Sequence, residues 1–130
     1  MLTINGMIEA SQRPGPYLFL LDEIYKGTNT VERIVAGKAV LSYLNRESSM
    51  VFVSTHDVEL TDYLNDQYDP YHFSEQVCNR LVDFDYKLKK GRLTTHNAIG
   101  ILKINGYPAE VFREAEELAA EIAQRKVGGV

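Results

Sequence analysis

Two short apolar runs dominate the first half of the chain. The first covers residues 17–22 (YLFLLD) and ends on two adjacent acids, Asp22 and Glu23. The second covers residues 50–55 (MVFVST) and leads directly into His56. Apolar runs of this length, stopped abruptly by polar residues, are typical of buried parallel strands, and α/β proteins place their chemistry at the carboxyl ends of such strands.

Helical patterns surround these two strands. Residues 2–12 predict a short helix, and residues 31–46 predict a longer one with Thr30 as its cap. The second helix is indicated by apolar residues at helical spacing: Ile34, Val35, Val40, Leu41 and Leu44. A strand, a helix and a strand within about forty residues predict a parallel, right-handed βαβ unit. Another short helix is expected directly after the second strand.

The pattern changes in the second half of the chain. Residues 70–76 and 80–88 alternate between apolar and polar side chains, which predicts an antiparallel hairpin. Residues 97–105 predict a short helix, and 109–125 predict an amphipathic helix with glutamates on its outer face. The last residues, KVGGV, are expected to fray. The whole pattern predicts the α/β class, with a helix–turn–helix at the end.

Composition narrows the class of protein further. The chain has 130 residues, of which 45% are hydrophobic and 25% charged, as expected of one globular domain. Its formal net charge of −4 gives no general basic surface for nucleic acid. The single cysteine, Cys78, excludes an intramolecular disulfide. No run reaches membrane-spanning length and no signal-peptide pattern is present, so a cytoplasmic chain without a membrane partner is expected.

The adjacent acids at the end of the first strand need a physical reason. Two adjacent ionised carboxylates repel each other, so a cation, a proton or a polarised water is needed to stabilise their negative charge. A Walker B strand supplies that reason: Asp22 would lie in the outer shell of Mg²⁺, and Glu23 would orient or deprotonate the attacking water. Two alternatives stay open, namely a helix cap beside a surface acid, and a metal-dependent hydrolase built on Asp22, Glu23 and His56.

Three segments of the chain resemble one known family in order and spacing. They are LFLLDEIYKGTNTVER, VFVSTHDVEL and FDYKLKKGRLTTHNAIGILKINGYPAEVFREAEEL. Together they resemble the second half of the MutS-type ATPase domain, which belongs to the ABC-like branch of the P-loop ATPases. The resemblance covers residues 8–123. The GTNT-E-R and TTHNAI segments are more similar to MutS-related paralogues than to the housekeeping mismatch-repair protein, and here Tyr25 and Lys26 precede Gly27.

The resemblance implies a role for each matching residue. Asp22 would be the magnesium-associated acid, Glu23 the catalytic glutamate and His56 the H-loop histidine that senses the γ-phosphate. The resemblance also implies a nucleotide-binding D-loop, which in dimeric ATPases of this kind packs across the subunit interface near the partner's nucleotide. Its members would be Gly27, Thr28, Asn29 and Thr30.

The family's phosphate-binding sequence does not occur in these 130 residues. No segment fits G-x-x-x-x-G-K-[ST], whose backbone amides and lysine hold the β- and γ-phosphates. We therefore expect a fragment: ATP and Mg²⁺ belong to the full-length parent, and neither should bind this chain tightly. The family fold also places the missing phosphate-loop strand beside residues 50–55. That exposed edge should cause self-association, or the hairpin should shift to cover it.

The resemblance implies that the chain divides into two regions with different roles. Residues 1–130 would be the C-terminal part of the ATPase domain, with 17–96 as the remnant of its core and 97–125 as a helical dimerisation element. A homodimer is expected, and DNA would be bound by upstream regions of the parent, where ATP hydrolysis would drive changes of a DNA clamp. The alternative function is a non-catalytic dimerisation module that uses the same C-terminal helices.

Overall fold

The computed structural model describes residues 3–27, 29–79, 81–94 and 98–128. It divides the chain into two compact units. The first contains Met1–Pro70 with Lys90–Arg92, and the second contains Tyr71–Lys89 with Leu93–Val130. Helices and strands alternate through the first unit, so the predicted α/β class is confirmed. Within the described ranges, no helix is both long and apolar enough to cross a membrane.

The first unit is built around a parallel pair of strands. Its elements are α1 (Ile4–Ser11), β1 (Tyr17–Asp22), α2 (Thr30–Leu44), β2 (Ser49–Ser54) and α3 (Val58–Tyr63). Strands β1 and β2 are parallel, with a register that runs from Tyr17 opposite Ser49 to Asp22 opposite Ser54. The predicted βαβ unit is therefore confirmed as a parallel pair. Its register brings the polar ends of both strands to the same edge.

The core lies on one face of this sheet. Phe19 and Leu21 of β1 pack with Leu44 of α2 in a first buried cluster. A second cluster joins α2 to α3 and the turn after it, and consists of Leu41, Leu60 and Leu64. Gly37 allows the two helices to approach closely, because a Cβ at this position would lie 3.2 Å from Cδ2 of Leu60. The two clusters fix α2 and α3 against β1, which ends on Asp22, and against β2.

The other face of the sheet is uncovered. Leu18, Leu20, Met50 and Phe52 are each between 59% and 66% exposed. The expectation that both strands are fully buried is therefore wrong for this face. The physical reason is that burial on both faces requires a covering layer on each side of a parallel sheet. In the described residues, the helices of this unit cover one side.

Helix α2 begins one residue earlier than its predicted cap implies. The side chain of Asn29 accepts a hydrogen bond from the backbone N–H of Val31 at 2.9 Å, and Thr30 is already the first helical residue. Asn29 is therefore the cap, and the prediction of Thr30 is wrong by one position. Both residue types are good caps, so composition alone does not separate them.

The second half of the chain contains the predicted hairpin and helices. Its elements are β3 (Tyr71–His72), β4 (Glu75–Cys78), β5 (Leu81–Phe84), β6 (Lys89–Lys90), α4 (Ala98–Ile104) and α5 (Ala109–Gly128). Strands β4 and β5 pair antiparallel with Cys78 opposite Leu81, so an antiparallel hairpin is present. Its first strand is Glu75–Cys78 and not residues 70–76 as predicted, because Tyr71–His72 pair with β6 in another sheet. Among the described residues, β4 and β5 form a two-stranded sheet of their own. Self-association through the β2 edge stays a prediction.

Two further boundaries in this half differ from the predicted ones. Strand β5 ends at Phe84 instead of continuing to residue 88, because Tyr86 has a positive φ of 53° and Asp85 accepts a hydrogen bond from the N–H of Lys87 at 3.1 Å. Helix α5 continues to Gly128, beyond the predicted end at 125. Helix α4 is linked to α5 by the ion pair of Lys103 and Glu116.

Candidate active site

The carboxyl ends of β1 and β2 are tied together by polar contacts. Ser54 Oγ donates to Asp22 Oδ1 at 2.6 Å, and the backbone N–H of Glu23 donates to the carbonyl of Ser54 at 3.0 Å. The parallel register is the direct cause, since it places Asp22 opposite Ser54. Asp22 therefore has one carboxylate oxygen engaged by a neighbouring hydroxyl, and its side chain lies at the exposed end of the sheet.

Glu23 turns its carboxylate towards the loop after β2. Its Oε1 accepts a hydrogen bond from the backbone N–H of His56 at 3.0 Å and lies 3.6 Å from Nε2 of the same residue. The side chain of Glu23 is 19% exposed, whereas the imidazole of His56 is 99% exposed. Glu23 and His56 therefore lie together, joined by a hydrogen bond from the His56 backbone and by a longer contact to its ring.

Glu23 adopts a backbone conformation that residues with a Cβ rarely use. Its φ is 51°, in the left-handed region. Such a conformation costs about 1–3 kcal/mol and persists only where the surrounding structure enforces it, most often at functional sites. Here the bonds to Ser54 and His56 supply that enforcement. The strand therefore ends in a sharp turn that presents a glutamate carboxylate beside the loop of the neighbouring strand.

A shallow cleft of about 400 Å³ opens at this edge of the sheet. Glu23, Gly27 and His56 of the predicted site line it, together with Tyr25, Lys26, Arg33 and Asp57. Gly27 has a φ of 77°, which suits glycine and directs the chain towards Asn29 at the start of α2. The cleft lining does not include Asp22, Asn29 or Thr30. Thr28 lies outside the described residues.

An ion pair that the sequence motifs do not predict also lies in this cleft. Arg33 Nε and Nη2 donate to Oδ2 and Oδ1 of Asp57 at 2.6 and 2.7 Å, an arrangement with two parallel bonds. The hydrogen bonds from Arg33 lower the pKa of the Asp57 carboxyl, and the same contact raises the pKa of Arg33. A signal was available, because each charged residue adjoins a motif: Arg33 follows GTNT and Asp57 follows His56.

The donor set at this edge fits a loosely held magnesium ion. No group of three acidic, histidine or cysteine side chains converges within the described residues. Asp22, Glu23 and His56 are all described, so the prediction of a metal-dependent hydrolase built on these three as joint ligands is wrong. Mg²⁺ is commonly held by one or two carboxylates with the remaining positions filled by water and phosphate oxygens, and Asp22 alone fits that pattern.

The fold and site define an α/β protein with acidic residues at the carboxyl ends of parallel strands. A family model described as MutS domain V matches residues 4–123. The chain belongs to this family, and corresponds to the C-terminal ATPase region of MutS within the P-loop ATPases. The resemblance inferred from the three sequence segments is thus confirmed.

Curated relatives carry the same family name. The chain is 31% identical over 129 residues to the DNA mismatch repair protein MutS of Aquifex pyrophilus, a match that covers 97% of this chain and 15% of the relative. It is 30% identical over 113 residues to the DNA mismatch repair protein MutS of Roseiflexus sp. strain RS-1, covering 83% of this chain and 10% of that protein. The chain therefore spans about one-seventh or less of the length of these relatives.

Proposed function

We propose that this chain supplies the water-activating part of an ATPase site in a MutS-type DNA-repair protein. In this proposal Asp22 and Glu23 form the Walker B end, residues 27–30 the D-loop and His56 the H-loop. ATP is the substrate, DNA is bound by other regions of the parent, and hydrolysis drives changes of the DNA clamp. The observation that supports the proposal is the 3.0 Å hydrogen bond from the His56 N–H to Glu23, which places the proposed Walker B and H-loop residues in contact.

The geometry suggests a role for each side chain in that reaction. Glu23 is partly shielded and held by a backbone donor, so its carboxylate is fixed in a position from which it can accept a proton from water. The exposed imidazole of His56 faces the cleft and can donate a ring N–H to a γ-phosphate oxygen. Asp22 would hold Mg²⁺ through a water, and the ion would neutralise charge that develops on the phosphates.

The proposal assigns only half of a phosphoryl-transfer site to these residues. Because no Walker A sequence is present, ATP binding should depend on a segment that supplies one. Calorimetric titration with Mg-ATP tests this on two proteins. The first is the chain itself, and the second is a chimaera in which residues 4–123 replace the matching segment of the Aquifex pyrophilus relative. The chimaera should bind ATP and the chain should not bind it in the low-micromolar range. Tight binding by the chain alone would contradict the proposal.

A second candidate function, association through the C-terminal helices, is favoured by one observation. Val111, Leu118 and Ile122 form a helical stripe on α5, and each is between 40% and 54% exposed. Apolar stripes at this spacing usually pack against a partner. We propose that α5 contributes to a homodimer. Sedimentation of the chain with Leu118→Glu should show a lower mass than wild type, whereas Glu114→Gln should not. Equal masses for the two variants would exclude α5 as the interface.

A further inference from the structure

The carboxylate of Asp57 occupies a helix-cap position without acting as a cap. Asp57 is the residue immediately before α3, and its carbonyl accepts the N–H of Leu60 at 3.1 Å. An aspartate at this position normally accepts a backbone hydrogen bond from the first turn, which stabilises the helix. Its side chain makes no such bond here and turns to Arg33 instead. The side-chain direction therefore serves a purpose other than starting α3.

The partner of Asp57 comes from the segment after the D-loop. Arg33 lies in the first turn of α2, and its backbone N–H donates to the carbonyl of Asn29 at 2.9 Å. Its guanidinium reaches across to Asp57, whose residue surface is only 8% exposed. A bidentate pair fixes orientation as well as distance, because both nitrogen–oxygen contacts must be satisfied together. The start of α2 is thereby connected to the loop after β2.

That loop is the one that positions His56 against Glu23. Thr55 Oγ1 accepts the backbone N–H of Asp57 at 3.0 Å, and the preceding N–H, that of His56, donates to Glu23. The imidazole of His56 is almost fully exposed, so side-chain packing does not hold it. The backbone of residues 55–57 must therefore be held from its other end. Asp57, buried and paired with Arg33, is the residue that does so.

We infer that Arg33 and Asp57 are positioning residues that hold the loop after β2 so that the His56 N–H faces Glu23, and that link this loop to the D-loop segment. The inference rests on the proposed function for its catalytic meaning, but the contact itself does not depend on ATP. In the working enzyme, a shift of the D-loop segment would pass through Arg33 and Asp57 to the glutamate that activates water. Neither Arg33 nor Asp57 needs to touch the substrate for this role.

Amide NMR of the full chain tests the inference without nucleotide. The measured quantity is the change in chemical shift of the His56 backbone amide that Glu23→Gln causes. It is determined in the wild-type chain and again in chains that carry Asp57→Asn, Arg33→Lys or Asp62→Asn. Asp62→Asn is the matched control, because Asp62 lies in α3, the helix that Asp57 directly precedes, and also pairs with an arginine, Arg92, at 2.9 Å. We expect the shift change to fall at least about threefold in the first two backgrounds and to be unchanged in the control.

The amides of β1 and β2 report whether the fold survives. Native chemical shifts for the β1 and β2 amides, the ladder signals, together with a smaller chemical-shift change at the His56 amide, support a positioning role. An undiminished His56 response in Asp57→Asn and Arg33→Lys would overturn the inference. Loss of the ladder signals in both variants would also overturn it, because the pair would then serve the fold in general. In the chimaera, Asp57→Asn should lower kcat for ATP with little change in KM. An inactive chimaera would count against the proposed function and leave the NMR result standing.

Discussion

Replacing Leu41 by alanine should measure how firmly α2 and α3 are held against the sheet. Leu41 is completely buried and packs with Leu60 and Leu64, which lie in and directly after α3. The truncation removes the equivalent of three methylene groups, or about 2.5 kcal/mol at roughly 0.8 kcal/mol for each. The cavity adds to this loss. Several neighbours are only partly buried and can relax inwards, so the expected loss of unfolding free energy is about 3 kcal/mol.

Leu20→Ala is the matched control, because it makes the same chemical change on the uncovered face of β1. Leu20 is 66% exposed, so its truncation should cost less than about 1 kcal/mol. Urea denaturation followed by circular dichroism gives both values, and a constant dependence on urea concentration shows that the unfolded reference has not changed. Equal losses of unfolding free energy in Leu41→Ala and Leu20→Ala would show that the two side chains are not buried to different extents. They would mean that the sheet face around Leu20 is covered in solution, as self-association would cause.

Three further predictions concern single residues of the first unit. Pairing with Arg33 lowers the pKa of Asp57 below its ordinary value of 3.8. The stability that this ion pair contributes is therefore present above pH 3.8 and is lost as pH falls through the lower pKa of the folded state. Asp57→Asn should flatten that part of an acid-unfolding curve. Burial raises the pKa of Tyr68 to about 12 from 10.0, so the stability it contributes is lost as pH rises between these values, and Tyr68→Phe should remove that loss in an alkaline titration. Gly37→Val should destabilise the chain by about 1–3 kcal/mol in thermal unfolding, since its Cβ meets Leu60, whereas Val35→Ala on the exposed side of α2 should not. Unchanged pH profiles, or equal effects of the two helix substitutions, would contradict these expectations.

The sequence predicts the elements of the first unit well because its signals are local. Two apolar runs with a helical pattern between them are sufficient to predict β1, α2, β2 and their parallel pairing. The cap of α2 is misplaced by one residue, since Asn29 and Thr30 are adjacent and chemically equivalent as caps. The uncovered face of the sheet could not be anticipated. Leu18 and Phe52 have the apolar character of buried residues, and their exposure depends on what packs over them.

The sequence predicts the residues of the candidate site that belong to sequence motifs, but not the contacts made by residues outside them. The acids at the end of β1 are recognisable from their type and position, whereas His56 is singled out by the resemblance to MutS. The structure brings Glu23 and His56 together. The pair of Arg33 and Asp57 is separated by 24 residues, and charged residues on a helix and in a loop are usually solvated. Only the tertiary packing of α2 beside the loop after β2 brings them into contact. The positive φ of Glu23 is likewise a consequence of tertiary bonds.

Whether Glu23 activates water for ATP hydrolysis can be measured kinetically. In the chimaera that carries residues 4–123, ATP binding and steady-state hydrolysis are compared for wild type, Glu23→Gln and Glu47→Gln, an exposed acid outside the site. If Glu23 activates the attacking water, Glu23→Gln should bind ATP as wild type does but hydrolyse it about 100-fold more slowly or worse, while Glu47→Gln should be unaffected. Hydrolysis by Glu23→Gln at close to the wild-type rate, or no hydrolysis by a chimaera that binds ATP, would contradict that role.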